Sequence, residues 1–240
     1  MTEMLYPGTE LELFQHAVRW KSYWASRISS FLDGDILEIG AGIGSNTRFL
    51  LSKSAPRSWT CVEPDARLFH QLQDICESSY GCNVNTVHGT VKDIESGLRY
   101  DTVLYLDVLE HIENDTGELA RAAALLRANG HIVVLAPALP WLYSPFDTAI
   151  GHYRRYTKAT IQRLSPPACR LVRAEYLDSF GISVSCANRY LLKRANPTYR
   201  QIMIWDRMFV PLSILLDELV NRRIGKSLVA VWQRIDASQE

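Results

Sequence analysis

The chain has few of the features that mark special classes of protein. Its five cysteines are an odd number without a Cys-x-x-Cys pair, which excludes the common zinc-ligand patterns and favours reduced thiols. No apolar run approaches the roughly 20 residues of a bilayer span. The first residues also lack the basic start and apolar core of a signal peptide. We therefore expect a cytoplasmic protein with no membrane span.

An excess of charge is absent too, because 26 lysines and arginines balance 26 aspartates and glutamates. Binding along a nucleic-acid backbone needs net positive charge, so this balance argues against a nucleic-acid partner. A composition of 47% hydrophobic and 22% charged residues is typical of a folded globule and excludes a disordered chain. The length suits one large α/β domain, which we expect to cover residues 1–240.

What the sequence contains is an alternation of short apolar strands and helical patterns. Strands are predicted at residues 35–40, 59–63, 84–88, 102–106, 131–136, 171–177 and 227–233. Helices are predicted at residues 9–32, 46–52, 66–77, 116–128, 158–164, 182–194 and 202–220. This alternation predicts right-handed crossovers and a mostly parallel sheet of seven strands with helices on both faces.

A glycine-rich turn follows the first predicted strand, within residues 36–46. It contains three glycines at alternate positions, Gly40, Gly42 and Gly44. Such spacing lets the backbone turn tightly and lie against a ligand. A dinucleotide site would need a further glycine at position 45, which is Ser45 here. Glu38, two residues before the turn, either braces it or faces an ammonium group.

An acidic residue, Glu63, stands at the end of the second predicted strand. A carboxylate at this position can accept hydrogen bonds from both hydroxyls of a ribose. A solvated turn carboxylate is the other interpretation of Glu63 alone. The glycine turn and the acid together fit S-adenosylmethionine, which has ribose hydroxyls, no phosphate and an amino-acid tail.

A third group of polar residues follows the fourth predicted strand, where Asp107, Glu110 and His111 stand at its carboxyl end. Open α/β sheets hold their ligands in the crevice at this edge. A helix cap is the other interpretation of Asp107, and a loop hydrogen bond that of His111. Their placement beside the crevice favours a functional role.

On these residues the chain resembles the class I S-adenosylmethionine-dependent methyltransferases of the bacterial small-molecule type. The likeness rests on Glu38–Gly44, on Glu63, on the Asp-x-x-Glu-His block at 107–111 and on Leu125–Gly130 before the fifth strand. Residues 151–157 (GHYRRYT) and, less specifically, residues 225–228 (GKSL) add to it. It implies a Rossmann-like fold, S-adenosyl-L-methionine as cofactor, and methyl transfer to an oxygen or nitrogen of a small-molecule acceptor. The alternatives are a cofactor-binding protein of this fold with no methylating activity or another reaction, and a nicotinamide-dependent oxidoreductase.

The resemblance also implies roles for individual residues. The positions corresponding to cofactor contacts are Glu38, Gly40, Ala41, Gly42, Asn46, Glu63, Thr90, Val91, Leu106 and Asp107. Thr90 and Val91 replace an acidic residue that family members often place near the adenine amino group, so we predict a hydroxyl or backbone contact there. The catalytic candidates are His111, His152 and Asp107, because imidazole titrates near neutral pH and Asp107 would lie close to the sulfonium.

The acceptor side is less defined by the resemblance. Tyr153 and Tyr156 would orient the acceptor. Arg154 and Arg155 either anchor their loop through carboxylates such as Asp147 or bind a carboxylate or phosphate of the acceptor.

A divalent cation is a further alternative for this side of the site. Asp107, Glu110, His111 and His152 resemble the metal-binding Glu-x-x-Glu-His arrangement of ubiquinone-pathway O-methyltransferases and small-RNA 2′-O-methyltransferases. The first acid is aspartate here, so the metal stays unknown at this point.

Two helical stretches flank the alternating pattern. Residues 1–34 would form an N-terminal helical lid, as is common in the family, or else part of the core. Residues 180–225 would form a helical cap inserted before the last strand. For the apolar residues within 203–220, burial in the core is the more ordinary interpretation, and a homodimer surface and a membrane-facing stripe are the open alternatives.

Overall fold

A computed structural model describes residues 6–8, 11–77, 83–187 and 198–235. The strands are β1 (Asp35–Ile39), β2 (Ser58–Glu63), β3 (Asn83–His88), β4 (Tyr100–Leu106), β5 (Leu126–Pro137), β6 (Cys169–Leu177) and β7 (Ser227–Arg234). The helices are α1 (Leu11–Phe14), α2 (Val18–Ile28), α3 (Ser45–Leu51), α4 (Ala66–Glu77), α5 (Asp115–Ala124), α6 (Pro145–Ala149), α7 (Lys158–Leu164), α8 (Phe180–Ala187), α9 (Tyr199–Ile204) and α10 (Val210–Leu219).

The strands form one sheet in the order β3-β2-β1-β4-β5-β7-β6. The strands β1 to β5 are parallel, and β7 runs antiparallel to both β5 and β6. This arrangement confirms the predicted Rossmann-like, mostly parallel seven-stranded sheet. The chain reverses its direction of travel across the sheet between β1 and β4, and a crevice for ligands opens at such a switch point.

Both faces of the sheet are covered, which explains why its central strands are apolar along their length. One core contains Leu37 and Val103 and packs under α5 and α7. The other contains Ile36 and Leu104 and packs under α2, α3, α4 and α10. Neighbouring residues of one strand thus enter opposite cores, and the two cores hold the strand ends rigidly around the crevice.

Two predicted helix boundaries were wrong. The pattern over 9–32 forms two helices, α1 and α2, because the chain breaks at Ala17, whose ψ of 66° is not helical. The helix predicted at 116–128 ends at Ala124, and β5 begins two residues later. The Asn129–Gly130 pair does not end a helix but shapes an irregularity in β5, where a Cβ on Gly130 would lie 3.0 Å from the carbonyl oxygen of Asp101.

The described part of the segment between β6 and β7 consists mainly of helices. It contains α8, then α9 and α10 joined by a π-helical turn (Trp205–Phe209) into one continuous run. Asp206 of this turn accepts a hydrogen bond from the backbone N–H of Trp20, and the hydroxyl of Tyr23 donates to Asp217. These bonds join the cap to α2. The remainder of the helix predicted at 182–194 lies outside the described residues.

Across the described parts of the chain, each helix is too short or too polar to cross a bilayer.

Candidate functional site

A cavity of about 880 Å³ lies at the carboxyl ends of β1, β2 and β4. The glycine turn forms one wall and the residues after β4 form another. Residues of α1, α2, α8 and α9 also line the cavity. Ligand sites commonly measure roughly 300–1,000 Å³, so this volume has room for a nucleoside cofactor and a second molecule.

The glycine turn lines the cavity with backbone. Gly40 and Gly42 have φ values of 66° and 57°, a left-handed conformation that favours glycine. A Cβ on Gly40 would lie 2.7 Å from a methyl carbon of Val108, so the close approach of the two segments also requires glycine. Ala41 and Asn46 line the same wall. The structure thus brings four predicted cofactor residues together.

Glu63 closes the turn from the end of β2. One of its carboxylate oxygens accepts a hydrogen bond from the backbone N–H of Gly42 (2.8 Å), and the other accepts from that of Asp65 (2.9 Å). Burial raises the pKa of Glu63. Each carboxylate oxygen has two lone pairs, so Glu63 can still accept from hydroxyl groups in the cavity.

Glu38 lies beneath the turn and is not among the described residues that line the cavity. Its carboxylate accepts hydrogen bonds from the hydroxyl of Thr47 (2.6 Å) and the indole N–H of Trp59 (2.9 Å). Burial raises its pKa to about 7. Of its two interpretations, the geometry favours bracing of the turn.

Thr90 and Val91 also lie away from the cavity wall, as far as the described residues define it. The backbone N–H and the hydroxyl of Thr90 both donate to Asp93, which caps a short helical turn. Val91 is buried in a core. The contact predicted here for the adenine remains a prediction that this geometry does not favour.

Lys21 lines the cavity and was missed from the sequence. Its side chain is buried, and its ammonium donates a hydrogen bond to the hydroxyl of Ser45 (3.0 Å), at the start of α3. Burial lowers its pKa to about 8. A signal existed, because Lys21 falls on the face of α2 that also carries Trp20 and Trp24. A lysine on the apolar face of a helix needs an explanation.

The N-terminal segment lies across this wall. The backbone N–H of Tyr6 donates to Asp65 (2.6 Å), and the Tyr6 ring packs edge-on against His111 with centroids 5.5 Å apart. The side chain of Leu11 lies against Gly42. The cavity is therefore covered on the side of the glycine turn by residues before α2.

The opposite wall carries titratable side chains. Asp107 follows β4 with a φ of 58°, an uncommon conformation for a residue other than glycine, and together with Leu106 it lines the cavity. Removal from bulk water raises the pKa of Asp107 to about 6. His111 lies nearby, where burial lowers its pKa to about 4, and its ring contacts that of His152 with centroids 4.5 Å apart.

His152 is held in place by a buried carboxylate. Its Nδ1 lies 3.0 Å from an oxygen of Asp147, and Arg155 donates to both oxygens of the same carboxylate (2.8 and 3.0 Å). Burial opposes ionisation, but the bonds from His152 and Arg155 hold the pKa of Asp147 well below its usual range. With Nδ1 engaged, the Nε2 of His152 is the nitrogen left for chemistry.

Glu110 faces that nitrogen from 3.7 Å. Its side chain is fully buried, and neither carboxylate oxygen accepts a hydrogen bond from another residue. Burial raises its pKa well above the usual value. Three side chains could together hold a cation here, because each offers one ligand atom and these atoms lie within 4.8 Å of one another. They are Glu110, His111 and His152. Asp107, the fourth member of the predicted set, is not part of this group.

Two other residues of the 151–157 string bind one carboxylate of α5. Arg154 pairs with Asp115 (2.6 Å), and the buried Tyr156 donates its hydroxyl to the same carboxylate (3.0 Å). Tyr153 is 55% exposed and is absent from the described cavity wall. Arg155 does reach the cavity, with its guanidinium paired as above. The anchoring interpretation of the two arginines therefore has direct geometric support.

The wall around the glycine turn suits S-adenosylmethionine. The buried Glu63 has free lone pairs that can accept from the hydroxyls of a ribose. The close-packed glycine turn and the buried Lys21 suit an amino-acid tail. Ser45 occupies the position where a dinucleotide site has glycine.

Comparison with known proteins points the same way. Residues 37–132 match the family model of a methyltransferase domain. Over 162 residues the chain is 24% identical to the demethylmenaquinone methyltransferases of two strains of Tropheryma whipplei, a match that covers 67% of this chain and 64% of those relatives. The matched region thus spans less than two thirds of their length.

Solved structures share the fold. A protein of Galdieria sulphuraria described as a sarcosine dimethylglycine methyltransferase superposes with a TM-score of 0.64 at 16% identity, over 98% of this chain and 93% of its own. A coclaurine N-methyltransferase bound to N-methylheliamine and S-adenosylhomocysteine gives 0.62 at 14% identity, over 90% and 72%. The chain therefore has the fold of these solved methyltransferases, and its residues 37–132 match a methyltransferase domain.

Proposed function

We propose that this protein transfers the methyl group of S-adenosylmethionine to an oxygen or nitrogen of a small-molecule acceptor. The observation that carries the proposal is the single cavity that joins the glycine turn and Glu63 to the Asp147–His152 pair. One wall fits the cofactor and the other offers groups that can handle a proton. The match to a methyltransferase domain supports the same conclusion.

The cofactor supplies a methyl group bound to a positively charged sulfur, so the protein mainly aligns the acceptor with that carbon. Glu63 would hold the ribose hydroxyls, and the glycine turn the amino-acid tail. Lys21 would pair with the carboxylate of that tail, because its ammonium is buried at the same wall. Leu106 and Asp107 would lie along the methionine chain.

A general base is needed when the acceptor must lose a proton. His152 is suited to this role, because Asp147 binds Nδ1 and leaves Nε2 directed at Glu110. The proton of an acceptor hydroxyl or ammonium would pass to Nε2, and Asp147 would stabilise the resulting imidazolium. This pair favours a hydroxyl acceptor, whose oxygen is a poor nucleophile until the proton leaves.

A bound divalent cation is a second candidate for the same wall. The observation in its favour is Glu110, a buried carboxylate whose oxygens lack a partner from another residue. With His111 and His152 it could coordinate a cation that binds the acceptor oxygen and favours loss of its proton. The contact between Asp147 and Nδ1 is the kind that orients a metal-binding imidazole. Nε2 cannot serve as ligand and base at once, so the two candidates exclude each other.

The surrounding elements complete the proposal. The single domain over residues 1–240 would close its N-terminal segment, within 1–34, as a lid over the cofactor. The cap, within 180–225, would shape the acceptor pocket. The protein would act in the cytoplasm, without a nucleic-acid partner, as a monomer or homodimer.

The test has three measurements on the full chain. Calorimetric titration should show binding of S-adenosylmethionine and S-adenosylhomocysteine but not of NAD. S-adenosylhomocysteine should accumulate with acceptors from a panel of phenols, alcohols and amines, and not without them. Metal analysis, with activity measured before and after chelation, decides between base and cation. A protein that ignores both cofactor forms would refute the proposal, and binding without turnover on any acceptor would favour a non-methylating protein.

A further inference from the structure

The outer face of the α9–α10 run carries a row of exposed apolar side chains. This outer stripe consists of Ile204, Met208, Leu212, Leu215, Leu216 and Leu219. Their exposed fractions range from 36% to 81%. Apart from the adjacent pair Leu215 and Leu216, successive members are three or four residues apart, as on one side of a helix. The run from Tyr199 to Leu219 is roughly 30 Å long at 1.5 Å per residue. Soluble monomers rarely expose contiguous apolar surface of this extent without a function.

Exposed arginines border the outer stripe. Arg200 stands four residues before its first member and Arg223 four residues after its last. Arg207 is exposed beside Met208. Long basic side chains at the edges of an apolar face are typical of helices that lie in the interface of a lipid bilayer.

The acidic residues of the run do not offset this positive charge. Asp206 and Asp217 are buried and directed at α2, where they accept the hydrogen bonds described above. Glu218 is exposed, and it pairs with Arg222 at 3.3 Å. The outward surface of the run is therefore apolar at its centre and basic at its edges, which suits an anionic lipid surface.

The inner face of the same run belongs to the cavity. Ile202, Trp205 and Phe209 line the cavity wall with apolar surface. Ile204 lines the cavity as well and is half exposed, so it belongs both to the cavity and to the outer stripe. The outer stripe and the cavity that His152 also lines therefore meet at Ile204.

From this continuity we propose that the outer stripe docks the protein on an anionic lipid surface, and that the acceptor is an amphiphile taken from it past Ile204. The polar end of the acceptor would face His152, and its hydrocarbon part would lie against Trp205 and Phe209. Lipid docking stands on the stripe alone, whereas the identity of the acceptor rests on the proposed methyltransferase function. The protein would lie on the membrane surface through the cap.

Co-sedimentation with vesicles tests the docking. The full chain should bind vesicles of equal parts phosphatidylcholine and phosphatidylglycerol, and salt should weaken this binding. The double substitution Leu215→Gln with Leu219→Gln should weaken it by about tenfold or more, since both side chains would leave the apolar phase. Leu98→Gln is the matched control, because Leu98 is 46% exposed on another part of the surface. Equal binding by the double variant and the parent would refute the proposal.

Charge provides an independent arm of the test. Arg200→Gln with Arg223→Gln should reduce binding to the anionic vesicles and leave binding to pure phosphatidylcholine unchanged. If light scattering instead shows a dimer that the leucine variant converts to a monomer, and the parent ignores vesicles, the stripe is a contact between two copies and the proposal is wrong.

Two further measurements separate this inference from the proposed function. The leucine variant should bind S-adenosylhomocysteine as the parent does, because neither Leu215 nor Leu219 lines the cavity. Among acceptors that share a hydroxyl-bearing ring, turnover should rise with the length of an attached alkyl chain. A parent that binds vesicles but not the cofactor would refute the function and leave the docking intact. Turnover that is indifferent to the alkyl chain would refute the amphiphilic acceptor.

Discussion

The two walls of the cavity are built in different ways. The wall proposed to hold the cofactor consists largely of backbone, with Gly40, Gly42 and Glu63 drawn together by hydrogen bonds between β1 and β2. The wall proposed to hold the acceptor consists of side chains, among which His152 is bound by Asp147. The first wall follows from a local turn at the end of a strand, whereas the second requires the segment after β4 to meet α6 and the residues that follow α6.

This difference has a functional consequence. A backbone wall is rigid and recognises a constant ligand, because every change to it disturbs the sheet below. A wall of side chains can change its chemistry while the sheet stays intact, so the acceptor of such a fold varies more readily than its cofactor. We therefore expect that substitutions can alter either wall independently of the other.

Gly42→Val should abolish both cofactor binding and turnover. The left-handed backbone at this position strains a β-branched residue, and the new side chain would meet Leu11. Calorimetry with S-adenosylhomocysteine measures the loss. Gly97→Val is the control, since Gly97 also has a positive φ but has no atoms within 4 Å of an added Cβ. Unchanged affinity in the Gly42 variant would refute the assignment of the cofactor wall.

His152→Asn should lower turnover by roughly 10²- to 10⁴-fold, the usual contribution of a general base, and leave the affinity for S-adenosylhomocysteine within about twofold. Such a result shows that the acceptor wall can be altered without the cofactor wall. A comparable loss of affinity would show that the walls are coupled.

The companion variant Glu110→Gln sharpens the same test. If a cation acts at this wall, the variant should lose bound metal and turnover together, and excess Mg²⁺ or Mn²⁺ should restore part of the turnover. If His152 acts as a base alone, chelation should leave the parent fully active.

Lys21→Met should weaken binding of S-adenosylhomocysteine by about 10- to 100-fold, the effect of one lost charge-assisted hydrogen bond. Binding of 5′-methylthioadenosine, which lacks the amino-acid tail, should not change. Equal losses for both ligands would mean that Lys21 supports the fold of the wall and does not contact the carboxylate.

The affinity of the parent for S-adenosylhomocysteine should also depend on pH. Burial lowers the pKa of Lys21 to about 8, and only the ammonium form attracts a carboxylate. The contribution of Lys21 to the affinity should therefore be complete below about pH 8, and the affinity should fall as the pH rises above it. In the variant Lys21→Arg the side chain keeps its charge throughout this pH range. Any fall in the affinity of this variant therefore measures the contribution of the amino group of the ligand itself. Identical pH profiles for the two proteins would contradict the role of Lys21.

Tyr153→Phe should change turnover by less than about twofold, because an exposed side chain outside the cavity wall has little to contribute. A large effect would restore the role in acceptor binding that the sequence suggests for Tyr153.

Prediction from the sequence succeeded where a signal was local. The apolar runs located every strand of the sheet, and the glycine spacing located the turn at Gly40. Predicted helix ends were wrong where pairing between strands decided them. Asn129, for example, lies in β5 because Leu126 pairs with Tyr100 of β4. For the site, the sequence grouped His111 with His152 as candidate ligands, but it contained no sign that Asp147 would bind the Nδ1 of His152.

Local patterns by themselves determined the sheet, the glycine turn and the acid that follows the second strand, since hydrophobic period and glycine spacing act over a few residues. Only the tertiary structure decided that Lys21 enters the cavity, that Asp147 holds His152, and that Tyr153 points away from them. These outcomes depend on contacts between segments that are far apart in the chain. Such contacts also bury the titratable side chains, and this burial, rather than any short sequence pattern, sets their ionisation.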